Sequence, residues 1–127
     1  MNLEHVALYV EDLEAMKAFY VRHFGATANS KYHNPRTGLQ TYFLSFEGGA
    51  RLEIMQRPGL IPKASGEHVL GYTHISFKLG SMEKVDQLTK ELQESGCPLL
   101  NAPRTTGDGY YESVLSDPEG NWIELVA

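Results

Sequence analysis

The sequence predicts an α+β fold of two tandem βαβββ modules forming a curved mixed sheet. Three observations predict it. The order strand, helix, three strands occurs twice, the halves match residue against residue, and 127 residues suffice for one domain but not for two separately cored ones. One domain therefore spans residues 1–127, with module 1 at about 1–57, a linker at 58–70 and module 2 at about 71–127.

Module 1 opens with alternation from Leu3 to Val10, placing Val6, Leu8 and Val10 on one face and Leu3, His5, Ala7 and Tyr9 on the other. Asp12 is a suitable N-cap, and Leu13, Met16, Phe19, Tyr20 and Phe24 recur at helical spacing until Gly25 ends the run. Strand-like runs follow at Thr27–His33, Leu39–Phe46 and Ala50–Arg57, the last two joined by a hairpin at Gly48-Gly49. Residues 58–70 lack periodicity and hold two prolines and two glycines, which reads as a linker.

Module 2 repeats the order. Tyr72–Leu79 alternates, with Thr73, Ile75, Phe77 and Leu79 on one side. Ser81 caps a helix whose apolar stripe is Met82, Val85, Leu88 and Leu92, closed by Gly96. Strands are expected near Pro98–Thr105, Tyr110–Ser116 and Asn121–Val126, with the turn Asp117-Pro118-Glu119-Gly120 replacing Gly48-Gly49. His5-Val6-Ala7-Leu8 aligns with His74-Ile75-Ser76-Phe77, and Leu52-Glu53-Ile54 with Ile123-Glu124-Leu125. A repeat of this kind signals duplicated units that bury a core together.

Composition excludes several function classes. The net charge of −5 and the lack of any long Lys/Arg cluster argue against nucleic acid or an anionic membrane as partner. No apolar run approaches the roughly 20 residues of a membrane span, and the first residues lack a signal-peptide layout. With Cys97 as the one cysteine, no intrachain disulfide forms. These readings lead to the expectation of a cytoplasmic protein.

The repeat points to a metal. His5, Glu53, His74 and Glu124 each have apolar strand neighbours that face the other way, so the four share the polar face of the sheet. Both histidines lie in the first strand of a module and both glutamates in the last, and a pseudo-twofold would bring them to a common point. A lone histidine or glutamate on a strand is ordinarily a packed or solvated residue. Chance gives no reason for identity at matched positions in both halves. Carboxylates crowded on one face force proton uptake unless a cation relieves them, and neutral imidazoles complete a mixed N/O shell. Open positions in that shell suit catalysis. Ni²⁺, Co²⁺, Zn²⁺, Mn²⁺ and Fe²⁺ all tolerate such ligands.

At these residues the chain resembles the vicinal oxygen chelate superfamily of glyoxalase I, thiol transferases, epimerases, extradiol dioxygenases and bleomycin-binding proteins. The resemblance runs the whole length. It rests on His5-Val6-Ala7-Leu8-Tyr9-Val10 with Asp12-Leu13, Phe19-Tyr20, Phe24-Gly25, Gly71-Tyr72-Thr73-His74-Ile75-Ser76-Phe77, and the closing Asp117-Pro118-Glu119-Gly120-Asn121-Trp122-Ile123-Glu124-Leu125. The order His, Glu, His, Glu is similar to glyoxalase I. That resemblance implies a lyase or isomerase acting on an α-ketoaldehyde–thiol adduct, with Glu53 and Glu124 moving a proton through an enediolate. It also implies a homodimer, since many members pair a half-site of one chain with one of its neighbour. Bacterial glyoxalase I carries an Arg and an Asn after its first two ligands to grip glutathione. The matching residues here are Tyr9 and Arg57, which points to another thiol or none.

Arg51 and Arg57 share the face of Glu53, Trp122 shares that of Glu124, and Arg36 lies in a loop with His33, Thr37 and Gly38. These four, Arg36, Arg51, Arg57 and Trp122, are the candidate substrate-binding residues. Thr105–Gly109 is read as a hairpin or lip, His23 and His68 as surface residues, and Cys97 as an unreactive thiol at a helix C-terminus. Two other readings compete with the lyase: a different metalloenzyme on the same platform, either a thiol transferase or a dioxygenase, and a non-catalytic protein that binds an antibiotic or metabolite.

Overall fold

The computed structural model describes residues 1–62 and 70–127. The centre of the linker, residues 63–69 with His68, lies outside the described residues. The chain divides into two compact units, 1–63 and 64–127.

In the first unit β1 (His5–Tyr9) is followed by α1 (Leu13–Phe24), β2 (Thr27–Ala28), β3 (Tyr32–His33), β4 (Gln40–Ser45) and β5 (Arg51–Gln56). The strands lie in the order β1-β5-β4-β2, with β3 also on β4. β1 runs parallel to β5 and the other pairs are antiparallel. Asp12 accepts from the Ala15 N–H at 2.9 Å to start α1, and Gly25 ends it in the left-handed conformation. Leu13, Met16, Phe19 and Tyr20 of α1 are buried, as are Tyr42, Leu44, Leu52 and Ile54 on the face of the sheet opposite His5 and Glu53.

The expected strand Thr27–His33 is two short strands instead. Asn29 sits at the break, where its backbone N–H donates to the Phe43 carbonyl and its side chain accepts from the Phe43 N–H at 2.8 Å. A side-chain oxygen thus takes the place of a ladder carbonyl, which interrupts the strand.

The second unit holds β6 (His74–Lys78), α2 (Met82–Glu94), β7 (Leu99–Thr105), β8 (Tyr111–Ser116) and β9 (Trp122–Val126), in the order β6-β9-β8-β7. Again the first and last strands are parallel. The strands therefore bond as two sheets, one per module. Ser81 caps α2 by accepting from the Lys84 N–H. The buried stripe of α2 is Val85, Thr89 and Leu92, whereas Met82, at the first position of the helix, is exposed. Thr89 is tolerated inside because its hydroxyl bonds both the Val85 carbonyl and Ser113 Oγ, each at 2.6 Å.

The turn between β8 and β9 is built on buried Asp117. Its carboxylate accepts from the Glu119 and Asn121 N–H groups and from the Asn121 side chain, each at 2.9 Å. Gly120, at φ 82°, closes the turn onto the Asp117 carbonyl.

Candidate metal centre

Strand pairing aligns the polar residues of each unit on the side away from its helix. In the first, Ala7 pairs with Glu53, His5 with Arg51 and Phe43 with Glu53, so all five side chains occupy one face. In the second, Ser76 pairs with Glu124, His74 with Trp122 and Val114 with Glu124. The parallel pairing of first and last strands is what sets each histidine beside its glutamate.

His5 Nε2 lies 3.7 Å from Glu53 Oε2, and His74 Nε2 lies 3.4 Å from Glu124 Oε2. The environments match as well: the histidines are 39% and 37% exposed and the glutamates 16% and 17%. The structure thus brings His5 to Glu53 and His74 to Glu124. Among the described residues no group of three or more His, Cys, Asp and Glu side chains is gathered.

Each pair suits a divalent cation. Two ligands about 2.1 Å from one ion, at the angles of tetrahedral or octahedral shells, lie roughly 3.0–3.4 Å apart, within a few tenths of an ångström of both separations. Each histidine has its other nitrogen engaged, His5 Nδ1 by the Glu4 carboxylate and His74 Nδ1 by Thr73 Oγ1 at 3.0 Å. Nε2 is left for a ligand in both. Glu124 is steadied by Ser76, whose hydroxyl donates to Oε1 at 2.6 Å, leaving Oε2 toward His74.

Charge around the pairs is uneven. Glu4 is held below the usual carboxylate range by its hydrogen bond to His5 and by Arg51. On the second sheet Glu112 is pushed up, first by burial and then by the charge of Glu124, with Arg104 at 3.6 Å opposing the shift.

Of the candidate substrate-binding residues, Arg51 is tied to Glu4 and lies 4.2 Å above the Phe43 ring. Trp122 is half-buried beside His74 in register. Arg57 lies just past β5 and Arg36 in the turn after β3, both exposed. Residues 105–109 form the β7–β8 hairpin, closed by Thr106 and Gly109. Cys97 is buried, and burial, rather than the helix end expected from sequence, is the main cause of its raised pKa.

The structure adds Glu4, Thr73 and Ser76 to the residues expected from sequence. Glu4 and Thr73 stand one residue ahead of β1 and β6, where strand alternation no longer decides direction. Alternation puts Thr73 on the face away from His74, yet its hydroxyl meets the imidazole. Ser76, two residues after His74, is legible from alternation.

Comparison with known proteins agrees with this architecture. A family model described as the Glyoxalase/Bleomycin resistance protein/Dioxygenase superfamily matches residues 2–125. An uncharacterized protein of Pseudomonas aeruginosa is 35% identical, covering 98% of this chain and 86% of the relative. The uncharacterized protein YqjT of Bacillus subtilis is 32% identical over 98% of both chains. A glyoxalase family protein from Enterococcus faecalis has a similar structure, with TM-score 0.80, 27% identity and coverage of 98% and 96%. The trypanothione-dependent glyoxalase I of Leishmania major shares the fold, with TM-score 0.77, 22% identity and coverage of 99% and 86%. With two units that each run strand, helix and then further strands, matched His–Glu pairs and a family match across nearly its whole length, this chain belongs to the glyoxalase/bleomycin resistance protein/dioxygenase superfamily.

Proposed function

We propose that the protein is a metal-dependent lyase or isomerase of the glyoxalase I type, acting on the adduct of an α-ketoaldehyde and a thiol. The observation that carries this reading is the pair of matched His–Glu sets, with Nε2 to carboxylate separations of 3.7 and 3.4 Å. His5, Glu53, His74 and Glu124 would hold one divalent ion, completed within a chain or across a homodimer. Bound there, the ion supplies a Lewis acid for charge developing on adjacent substrate oxygens.

The chemistry asked of the chain itself is a proton transfer. One of the two glutamates removes the proton from the carbon bearing sulfur and hydroxyl, giving an enediolate. The same proton is returned to the neighbouring carbon, and the hydroxyl proton passes from the first carbon's oxygen to the second's, so that the ketone carbon becomes an alcohol and the former alcohol carbon a thioester. Atoms and electrons balance without an external oxidant. A carboxylate suits this work because it accepts and returns a proton without large movement. The partial burial of Glu53 and Glu124 limits competing water, while the histidines stay accessible on the same face.

The test is a screen of purified protein loaded with Ni²⁺, Co²⁺, Zn²⁺, Mn²⁺ or Fe²⁺, using methylglyoxal with glutathione, bacillithiol or another cellular thiol. Thioester formation is expected with one thiol, and Glu53→Gln or Glu124→Gln should abolish it while leaving the fold intact. Absence of thioester across the screen removes the reading.

A further inference from the structure

Four side chains of the first unit close on one another in a ring. The Glu4 carboxylate meets His5 Nδ1, and the Arg51 guanidinium meets the same carboxylate. Arg51 lies 4.2 Å over the Phe43 ring, and Phe43 stands edge-on to the His5 imidazole, with centroids 5.3 Å apart at 88°. The backbone anchors the same group: the Arg51 N–H donates to the Glu4 carbonyl at 2.9 Å, and His5 and Arg51 are paired in register.

We propose that Glu4, Arg51 and Phe43 are positioning residues that clamp His5 as the Nδ1–H tautomer with Nε2 aimed toward Glu53. The inference deepens the metal-centre reading and rests on it. A carboxylate only accepts, so its partner nitrogen on a neutral imidazole must carry the proton, and the lone pair then resides on Nε2. The edge contact with Phe43 opposes rotation of the ring about its own bond. Arg51 holds the carboxylate by its fork of donors, so the orientation does not depend on one exposed contact.

Among the described residues of the second unit there is no such ring. Its matching positions hold Thr73, Trp122 and Val114, as the strand pairings show. The Thr73 hydroxyl can donate or accept, and so leaves the tautomer of His74 free. The two half-sites therefore differ: one imidazole is pre-set and the other adjusts. The clamp also gives Arg51 a role inside the protein, in place of the grip on substrate expected from its face.

The experiment uses the metal-free full chain and its metal complex. Long-range ¹H–¹⁵N NMR of the imidazoles, recorded where they are neutral, is expected to show His5 as Nδ1–H. In Glu4→Ala the Nε2–H form should appear at His5, while His74 keeps its wild-type spectrum. Competition with a chromophoric chelator for Ni²⁺ or Zn²⁺ should show affinity about 10–100-fold lower in Glu4→Ala. Glu4→Gln should fall between, because its amide oxygen still accepts from Nδ1–H. An unchanged His5 tautomer in Glu4→Ala overturns the clamp even where metal binds. The expected tautomer in a wild-type protein that binds no Ni²⁺ or Zn²⁺ overturns the metal reading, and with it the clamp's purpose.

Discussion

Ser76 donates a 2.6 Å hydrogen bond to Glu124, while the matching position of the first unit is Ala7, which offers Glu53 no hydroxyl. Outer partners of this kind orient metal ligands and commonly change affinity by about 10-fold or more. Ser76→Ala is therefore expected to weaken divalent-metal binding by about 10-fold in a chelator competition. Because Ser76 is exposed, its unfolding free energy should move by less than about 1 kcal/mol.

Asp117, itself buried, accepts three hydrogen bonds within the turn that leads directly into the strand bearing Glu124. Removing the carboxylate leaves two backbone N–H groups without their partner. Asp117→Ala is expected to cost about 3 kcal/mol in urea unfolding. Asp117→Asn should recover part of that loss, since the amide oxygen still accepts.

Two glycines separate backbone strain from mere loop placement. Gly38 has φ 71°, and a Cβ there would lie 2.8 Å from Pro58 Cδ, whereas a Cβ at Gly48 meets nothing within 4 Å. Gly38→Ala is expected to destabilise by about 2 kcal/mol, from left-handed strain and the clash with the proline ring. Gly48→Ala should stay within about 0.5 kcal/mol of wild type. Equal effects in thermal unfolding would contradict this.

Glu14 ties α1 to β4 through the Tyr42 hydroxyl and to Lys31 in the segment between β2 and β3, and it pairs with Lys17 of its own helix at 2.9 Å. Hydrogen bonds from Lys31 and then Lys17 lower its pKa from 4.5 to about 2. A depressed folded-state value means the stabilisation is complete above the unfolded value near 4.5 and is lost as pH falls through about 2. The gap in melting temperature between wild type and Glu14→Gln should therefore shrink as pH drops from about 5 to about 2. It should also shrink with added salt, because the carboxylate is half-exposed.

Much of the fold was legible because period and capping agreed. The alternation around His5 and His74 and the caps Asp12 and Ser81 mark elements that the structure contains. Thr27–His33 misled because Asn29 replaces a ladder bond with its own side chain, a contact set by a residue far along the chain. The α2 stripe misled at Thr89, since a buried threonine is legible only once Ser113 is known to face it. At the site, the repeat singled out His5, Glu53, His74 and Glu124, and the structure sets each histidine near the glutamate of its own module. The repeat could not reveal the residues just outside the strands, Glu4 and Thr73, whose side chains meet the imidazoles although alternation would turn them to the other face.

Both His–Glu pairs are proposed to serve one ion. The most direct measurement is the stoichiometry and affinity of Ni²⁺ binding in wild type, His5→Ala, Glu53→Gln, His74→Ala and Glu124→Gln, by calorimetry with size determination of each sample. One ion per chain in wild type, lost or greatly weakened in all four variants, is the expected result. Two independent ions per chain, or unchanged binding when either pair is disrupted, would contradict it.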